Sequence, residues 1–342
     1  MKPSLIDVAA RAGVSKSTVS NVLQGRKSVA PEIRERVLRT IEELGYVRNE
    51  SARLLRAGHS RTVGLVVHDT ANPYFTDVAR GIQEELSRHG LLVMLCNADN
   101  NPVQESAYLD VLEQMRFRGV ILAPVLDPSH ERIRALRDRG TSIVLIERDS
   151  ALRDISTAAC DDVAGGSIAM RHLLDLGHRD IGYVTGPLQL KPYRDRLVGA
   201  EAEIASRGVE ARLRVFESER FEDDGRSAAM AMIAAEERPT AVFCGNDLIA
   251  VNVQRAATGA GLRLPDQLSI VGYDDITLAD QVAASLTTVR QPRHALGVEA
   301  ARLLLADAAD PTSNRTVLLA PELVRRSSTS TAASHLGGEV VP

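Results

Sequence analysis

Tryptophan is absent from this chain of 342 residues, and aromatic residues together make up 3%. That leaves little material for a cage around a quaternary amine or for a base-stacking platform on single-stranded nucleic acid. Cysteine is scarce too: Cys96, Cys160 and Cys244 are odd in number and too far apart for a metal-binding CxxC pair. They read as buried thiols in a reducing cytosol. No run of about 18 apolar residues occurs, so no membrane span is expected. The start, Met1-Lys2-Pro3-Ser4, leads into a helical pattern without the apolar core of an export signal, so the expected location is cytoplasmic. The chain has no GxxxxGK loop, no GxSxG elbow, no HExxH and no GxGxxG after a strand. His172, His178 and His294 have no nucleophile nearby in sequence. No catalytic residue, cofactor or metal site is therefore expected.

What is present is unevenly distributed. Residues 1–60 carry 11 Lys and Arg against 6 Asp and Glu (net +5), and the remaining 282 carry 30 against 39 (net −9). A compact basic segment on an acidic body suggests that only the N-terminus meets a polyanion. The length calls for two or three domains.

Within the basic segment, Ser4-Leu5-Ile6-Asp7 reads as a capping box at a helix start. That helix breaks at Gly13, Ser15 caps a second one to about Leu23, and Pro31 fits the first position of a third that stops at Gly45. Ala9 and Ala12 are small enough for two helices to cross closely, while Val14 and Val19 lock the second against the first. Ser15, Lys16, Ser17, Thr18, Ser20 and Asn21 are left outward, compact donors and acceptors of a size suited to a major groove. The segment 51–57 is too short to be a stable helix alone.

From Arg61 onward, apolar strands alternate with amphipathic helices. Strands are expected at 63–67, 92–96, 119–124, 142–146, 156–159, 181–185, 212–216, 241–244, 269–273, 287–289 and 317–320. Helices are expected at 74–89, 105–115, 131–139, 163–175, 194–206, 225–235, 247–258 and 292–305. This alternation means parallel sheets with right-handed crossovers. Eleven strands are too many for one such core, so two doubly wound lobes follow. Residues 327–342, rich in Ser, Thr and Gly, read as a disordered tail.

The strings LIDVAARAGVSKSTVSNVL, VAPEIRERVLRTIEELGYVRN and SARLLRAG resemble the lactose/galactose-repressor (LacI/GalR) family of bacterial transcription regulators, and the similarity runs over residues 4–326. The resemblance implies an all-α helix-turn-helix head (1–48), a hinge helix and linker (49–60), and an α/β two-lobed sensor body of the type I periplasmic-binding-protein kind. That body is expected as an N-lobe at 61–160 and 290–326 and a C-lobe at 161–289. It implies that Lys16, Ser17 and Asn21 select bases, and that Ser4, Ser15, Thr18, Ser20, Arg34, Ala52 and Arg53 hold the DNA backbone. Leu55 would wedge into the minor groove at the centre of a palindromic operator and kink it. Two positions depart from the family's pattern: Arg48 precedes Asn49 where Pro is usual, and Ala30 stands where a capping Ser is common.

In such a body the ligand cleft lies at the carboxyl ends of the strands. Asp69, Asn72, Tyr74, Phe75, Glu147, Arg148, Asp161, Asn246 and Asp274 follow expected strands. The resemblance makes Arg196 the clamp on a sugar's vicinal hydroxyls, with Asn246 and Asp274 completing the hydrogen-bond set and Gln291 a weaker candidate. Tyr74, Phe75 and Phe221 could stack on a ring. Helix capping is the competing role for Asn246-Asp247 and Asp274-Asp275.

The expected protein is a homodimeric repressor on a double-stranded DNA operator, released by a small sugar-like effector. A corepressor-type regulator of nucleobase or other metabolism is the alternative. Clustered carboxylates in a sugar-binding cleft would also suit a glycosidase, which turnover of aryl glycosides would reveal, and an exported sugar-binding protein would not carry a basic DNA-reading head.

Overall fold

The computed structural model describes residues 3–23, 29–46, 59–126, 130–148, 154–219, 223–310, 312 and 314–332. It divides into two units, residues 1–59 and 60–342. The first unit is a trihelical head of α1 (Leu5–Ala12), α2 (Lys16–Leu23) and α3 (Pro31–Leu44). The capping box at its start is formed on both sides: the Asp7 amide donates to Ser4 Oγ at 3.4 Å, and the Ser4 amide donates to the Asp7 carboxylate at 2.7 Å. Those bonds hold the Asp7 carboxyl below its usual range. Gly13 ends α1 at φ 65°, in the left-handed region that a side chain would disfavour, and so makes the turn into α2. Val8, Val19 and Val37 are fully buried and, with Ala9, Ala12 and Val22, form the head's core. Burial of each of those three valines contributes about 1.5–3 kcal/mol. Ala30 precedes α3 without a side-chain cap, and Pro31 occupies the first turn.

In the second unit the N-lobe is a parallel sheet in the order β11-β5-β4-β3-β1-β2. Its strands are β1 (Thr62–Val67), β2 (Leu92–Asn97), β3 (Gly119–Leu122), β4 (Ser142–Ile146), β5 (Ser156–Cys160) and β11 (Thr316–Leu319). Around it lie α4 (Tyr74–Arg88), α5 (Pro102–Gln114), α6 (His130–Asp138) and α12 (Arg293–Ala309). The C-lobe sheet runs β12-β10-β9-β8-β6-β7. It comprises β6 (Asp180–Thr185), β7 (Arg212–Glu217), β8 (Ala241–Cys244), β9 (Ser269–Asp274), β10 (Thr287–Arg290) and β12 (Glu322–Val324), with β12 antiparallel to β10. Its helices are α7 (Asp162–Asp175), α8 (Lys191–Arg207), α9 (Arg226–Ala234), α10 (Asp247–Gly259) and the single turn α11 (Leu278–Gln281). Central strands such as β3, β5, β8 and β9 are buried along their whole length, as strands covered on both faces must be. Cys96, Cys160 and Cys244 are buried free thiols.

Glycine sets how closely two helix pairs pack. A Cβ on Gly199 of α8 would lie 1.9 Å from the Val163 carbonyl oxygen, and one on Gly166 of α7 would lie 2.0 Å from that of Arg196. α7 and α8 thus touch backbone to backbone. The same device joins α4 to α12 through Gly81 and Gly297.

Two expectations about the C-terminal part need correction. The N-lobe does not extend to residue 326, because after β11 the chain crosses back and β12 joins the C-lobe sheet. β12 has only three residues and one edge to fill, too short for a periodicity to register. The stretch 327–332 is also not a disordered tail. The Ile270 amide donates to the Ser328 carbonyl (2.8 Å), Ser328 Oγ donates to the Ile270 carbonyl (2.6 Å), and the Ala332 amide donates to the Leu176 carbonyl (2.9 Å). Hydroxyls that read as polar linker here satisfy buried backbone groups beside the sheet. Residues 333–342 lie outside the described residues.

Two histidines pack under that stretch. His172 Nε2 meets Thr329 Oγ1 at 3.0 Å, and His178 meets Thr240 Oγ1 at 2.9 Å and the Ser330 carbonyl at 3.0 Å. Burial lowers both, His172 to about 4. An unfolded chain takes up these protons near the ordinary histidine value of about 6.5, so stability present above that pH is lost as the pH falls toward 4. The thermal midpoint should therefore drop across that window, and His172→Gln should make the drop shallower. Scanning calorimetry at pH 7.5 and 4.5 checks this; equal slopes for both proteins would refute it.

Candidate functional site

On the head, α2 contains no acidic residue in its first turn and presents Lys16 and Ser17 exposed, with Thr18, Ser20 and Asn21 half-buried. Ser15 caps the helix: its Oγ accepts from the Thr18 amide at 3.1 Å and lies 2.7 Å from Ser17 Oγ and 2.8 Å from Thr18 Oγ1. The helix N-terminus with its positive dipole end and its small hydroxyls thus forms one face, chemically suited to phosphates and base edges. Arg34 is half-buried in the first turns of α3, and Ser4 is held in its capping box. Ala52, Arg53 and Leu55 lie outside the described residues, as does Phe221.

In the body, loops at the carboxyl ends of β1, β4, β6, β8 and β9 converge on a cleft. It is lined by His68, Asn72, Tyr74, Phe75, Glu147, Leu190, Pro192, Tyr193, Arg196, Asn246 and Asp274. Asp69, Asn100 and Asp224 border an adjoining hollow that shares His68, Asn72, Tyr193 and Asn246. Seven of the expected residues are therefore brought together at the inner cleft, with Asp69 beside them.

Arg196 organises the C-lobe side. It is 4% exposed; Nε donates to Asp162 at 2.8 Å, Nη1 donates to the Gly245 carbonyl at 2.6 Å, and the guanidinium sits 3.7 Å from the centre of the Tyr273 ring. Such a charge is tolerable in the interior only because pairing, hydrogen bonding and the aromatic face replace water. Asp274 bridges the lobes. Its carboxylate accepts from Gln291 Nε2 at 2.7 Å and from Asn72 Nδ2 at 3.4 Å, while its carbonyl accepts from Arg293. Arg293 also pairs with Asp77 of α4 at 2.9 Å. One C-lobe carboxylate is thus held by an N-lobe amide and by the crossover segment between lobes. Burial raises the Asp274 carboxyl, with Arg196, Gln291 and Asn72 opposing.

Glu147 lies behind, with burial as the main cause raising it to about 7 and Asp162 adding to the rise. His68 Nδ1 is 3.5 Å from the Glu147 carboxyl, too far for a hydrogen bond, and burial lowers the imidazole to about 3. Glu147 (φ 57°) and Asp274 (φ 110°) both occupy the left-handed backbone region. Each such residue costs about 1–3 kcal/mol, a cost that clusters where function needs the geometry.

Other expected residues serve elsewhere. Arg148 donates to the Pro124 and Glu147 carbonyls behind the cleft wall. Asp161 caps α7, accepting from the Ala164 amide at 2.9 Å, in a neighbouring hollow. Asn246 is both a cap and a cleft residue: Oδ1 accepts from the Ile249 amide at 2.9 Å, and Nδ2 donates to the Tyr193 hydroxyl at 3.1 Å. Asp275, by contrast, caps no helix: Thr277 precedes the next one, and Asp275 pairs with Arg290 and Arg326. Tyr74 and Phe75 line the cleft, almost wholly buried, with their rings edge-on to each other at 5.0 Å. His68, Asp162 and Tyr193 went unrecognised in the sequence. His68 directly follows β1, and Tyr193 sits three residues before Arg196, so strand ends and helical spacing were the available signals.

Residues 4–49 match the model for bacterial regulatory proteins of the lacI family, and residues 170–329 match that for a periplasmic binding protein-like domain. Over 334 residues the chain is 32% identical to the HTH-type transcriptional regulator DegA of Bacillus subtilis, covering 96% of this chain and 99% of that one. The chain belongs to the LacI family. It is 35% identical to the HTH-type transcriptional repressor PurR of Proteus mirabilis over 325 residues, 94% of this chain and 95% of that one. Among solved structures, the lac repressor dimer bound to operator and the anti-inducer ONPF matches this LacI-family chain with a TM-score of 0.84 at 26% identity, covering 96% and 100%. A CelR–cellobiose complex matches with a TM-score of 0.71 at 28% identity, covering 95% and 99%. This LacI-family protein is a transcription regulator with a DNA-reading head and a ligand-binding body. No helix among its described residues is long and apolar enough to cross a membrane.

Proposed function

We propose that two copies of this chain occupy a palindromic operator and release it when a small sugar-like molecule fills the cleft between the lobes. The observation that carries this reading is Asp274. Its carboxylate is shared between Asn72 of the opposite lobe and Gln291 of the crossover. A polyhydroxyl ligand that bonds to Asp274 competes with Asn72, and so changes how the lobes are held together. Carboxylate, amide and guanidinium each bind vicinal hydroxyls in a bidentate way. Lys16, Ser17 and Asn21 are proposed to read bases, with Ser4, Ser15, Thr18, Ser20, Arg34, Ala52 and Arg53 on the DNA backbone. Leu55 opens the centre of the operator.

Pairing is supported by the N-lobe edge. Leu92, Met94 and Leu95 of the edge strand β2 are exposed, as are Val103 and Val111 on α5 and Met115 just after it. An apolar patch on an edge strand asks for a partner, and a second copy closes it by twofold symmetry. Cellobiose in the CelR neighbour and ribose in another neighbour, of 27% identity with a TM-score of 0.72, favour the sugar reading.

Leu55→Ala should weaken operator binding at least tenfold while leaving effector affinity unchanged, because only the minor-groove wedge is lost. Fluorescence anisotropy on a palindromic operator measures the first and calorimetry the second; unchanged operator affinity discards the wedge. Linkage fixes the sign of the response: an effector that weakens DNA binding must itself bind less tightly to the DNA complex. An effector that strengthens operator binding would identify a corepressor instead.

A further inference from the structure

We propose that the effector carries an ammonium group, and that Asp69 of the N-lobe and Asp224 of the C-lobe hold it between them at the mouth of the cleft. This rests on the effector reading above and names the chemical class of that molecule. Four carboxylates border the two adjoining hollows: Asp69 and Asp224 toward the mouth, Glu147 and Asp274 within. The inner two have guanidinium neighbours in Arg148, Arg196 and Arg293. Among the described residues the mouth pair has none. Burial raises both carboxyls, and the charged groups acting on them are further carboxylates: Asp99 on Asp69, and Asp69 and Asp223 on Asp224. Two carboxylates that repel each other with no cation between them form an arrangement that a bound cation completes.

Positive potential from the surrounding helices does not balance the pair. α8 starts at Lys191 without a side-chain cap, and an open helix start is worth about half a unit charge. The start of α9 has Asp223 beside it, which accepts from the Gly225 amide at 2.9 Å and from the Ser227 amide at 3.3 Å. Lys191 itself pairs with Asp195, and Arg226 lines a separate groove with Met230 and Arg255. Arg196, the one Lys or Arg among the described lining residues, has its charge met by Asp162 at 2.8 Å. About half a charge therefore stands against two carboxylates.

The inner cleft indicates what the rest of the ligand is. The Tyr74 hydroxyl lines it on a side chain 2% exposed and has no hydrogen-bond partner; His68 Nδ1, in a residue that lines both hollows, has none either. Buried polar atoms without partners are costly and call for a ligand group or a water. A ligand hydroxyl, which donates and accepts at one atom, satisfies them. A hydroxyl here and an ammonium at the mouth place the molecule across both hollows, as a hydroxylated amine. Asp69 follows β1 and Asp224 precedes α9, so one ammonium is held by both lobes at once. It replaces repulsion across the mouth by attraction, and binding then favours a closer approach of the lobes.

The full-length protein should be titrated by calorimetry with 2-amino-2-deoxy sugars. Each is paired with its parent sugar and with its N-acetyl derivative, which keeps the nitrogen and loses the charge. An amine is expected to bind at least about tenfold tighter than either neutral partner, because charge-assisted hydrogen bonds are roughly twice as strong as neutral ones. Raising the salt from about 20 mM to about 500 mM should close most of that gap, since a charge near solvent is screened. Asp69→Asn and Asp224→Asn should each erase the amine's advantage. Neither should lower the thermal midpoint of the free protein: a repulsion is removed, and the amide oxygen can still accept from the Ala71 amide as Asp69 does at 2.8 Å. A neutral partner binding as tightly as its amine overturns the proposal but leaves the effector reading standing. A panel in which no amine binds overturns it, as does an advantage that survives both substitutions. An amine that binds through both carboxylates without changing operator affinity supports the site and removes the effector reading.

Discussion

Arg196→Ala is expected to destabilise the ligand-binding body by about 3–5 kcal/mol, the range for removing one partner of a buried ion pair. Asp162, itself 7% exposed, would be left buried beside the Tyr273 ring without its guanidinium, and the Gly245 carbonyl would lose its donor. Effector binding should be lost with it, because Arg196 braces α8 against the strand ends that form the cleft. Operator binding without effector should survive at temperatures where the body remains folded. Adding Asp162→Asn to Arg196→Ala should recover part of the stability, since the stranded carboxylate is then neutral. Urea denaturation of the two variants checks both claims. A loss below about 1 kcal/mol for the single variant would show that the pair does not anchor this wall.

Gly199→Val should be comparably severe for a different reason. Its Cβ would fall 1.9 Å from the Val163 carbonyl oxygen and 2.9 Å from the Ser167 amide nitrogen, so the clash is with backbone and no side chain can swing aside. α7 and α8 must separate. Overpacking a well-filled contact costs about 1–3 kcal/mol, with immovable neighbours toward the upper end. Separation also pulls Arg196 on α8 away from Asp162 at the start of α7, so effector affinity should fall at least tenfold in proportion to that displacement. Gly259→Ala is the control: nothing lies within 4 Å of its Cβ, and helical glycine is about 1 kcal/mol worse than alanine, so stability should hold or rise. A Gly199→Val protein as stable as wild type would show that the helices can part freely.

The head was legible because short-range rules govern it. Ser4, Asp7 and Gly13 act within a few residues of themselves, and the outward position of Lys16 and Ser17 follows from helical spacing around Val19 and Val22. Every expected strand of the body is present for a related reason: strands buried on both faces are continuous apolar runs. β12 escaped because three residues on an edge have no period to show, and 327–332 escaped because hydroxyls that serve a linker serve equally well as partners for Ile270 and Leu176.

The cleft divides differently. Strand ends pointed to Asn72, Glu147, Asn246 and Asp274, since in an open α/β lobe ligands meet the carboxyl ends of strands. They could not separate Arg148, turned toward the Pro124 carbonyl, from Glu147 beside it. Nor could they show that Arg196 spends two donors on Asp162 and Gly245, or that the Tyr74 and Phe75 rings stand edge-on to each other.

The amino-acid order by itself thus determined the helix-turn-helix, the two doubly wound lobes and the kinds of residue at their strand ends. These depend on periodicity, caps and burial, which act along the chain. Tertiary structure alone decided that Asn72 reaches Asp274 across 202 positions and that Asp162 neutralises Arg196 across 34. It also decided that, among the described residues, four carboxylates border the cleft beside one guanidinium already paired. Charge balance in a cleft is a sum over side chains from distant segments, and no local pattern in the sequence records which of them meet.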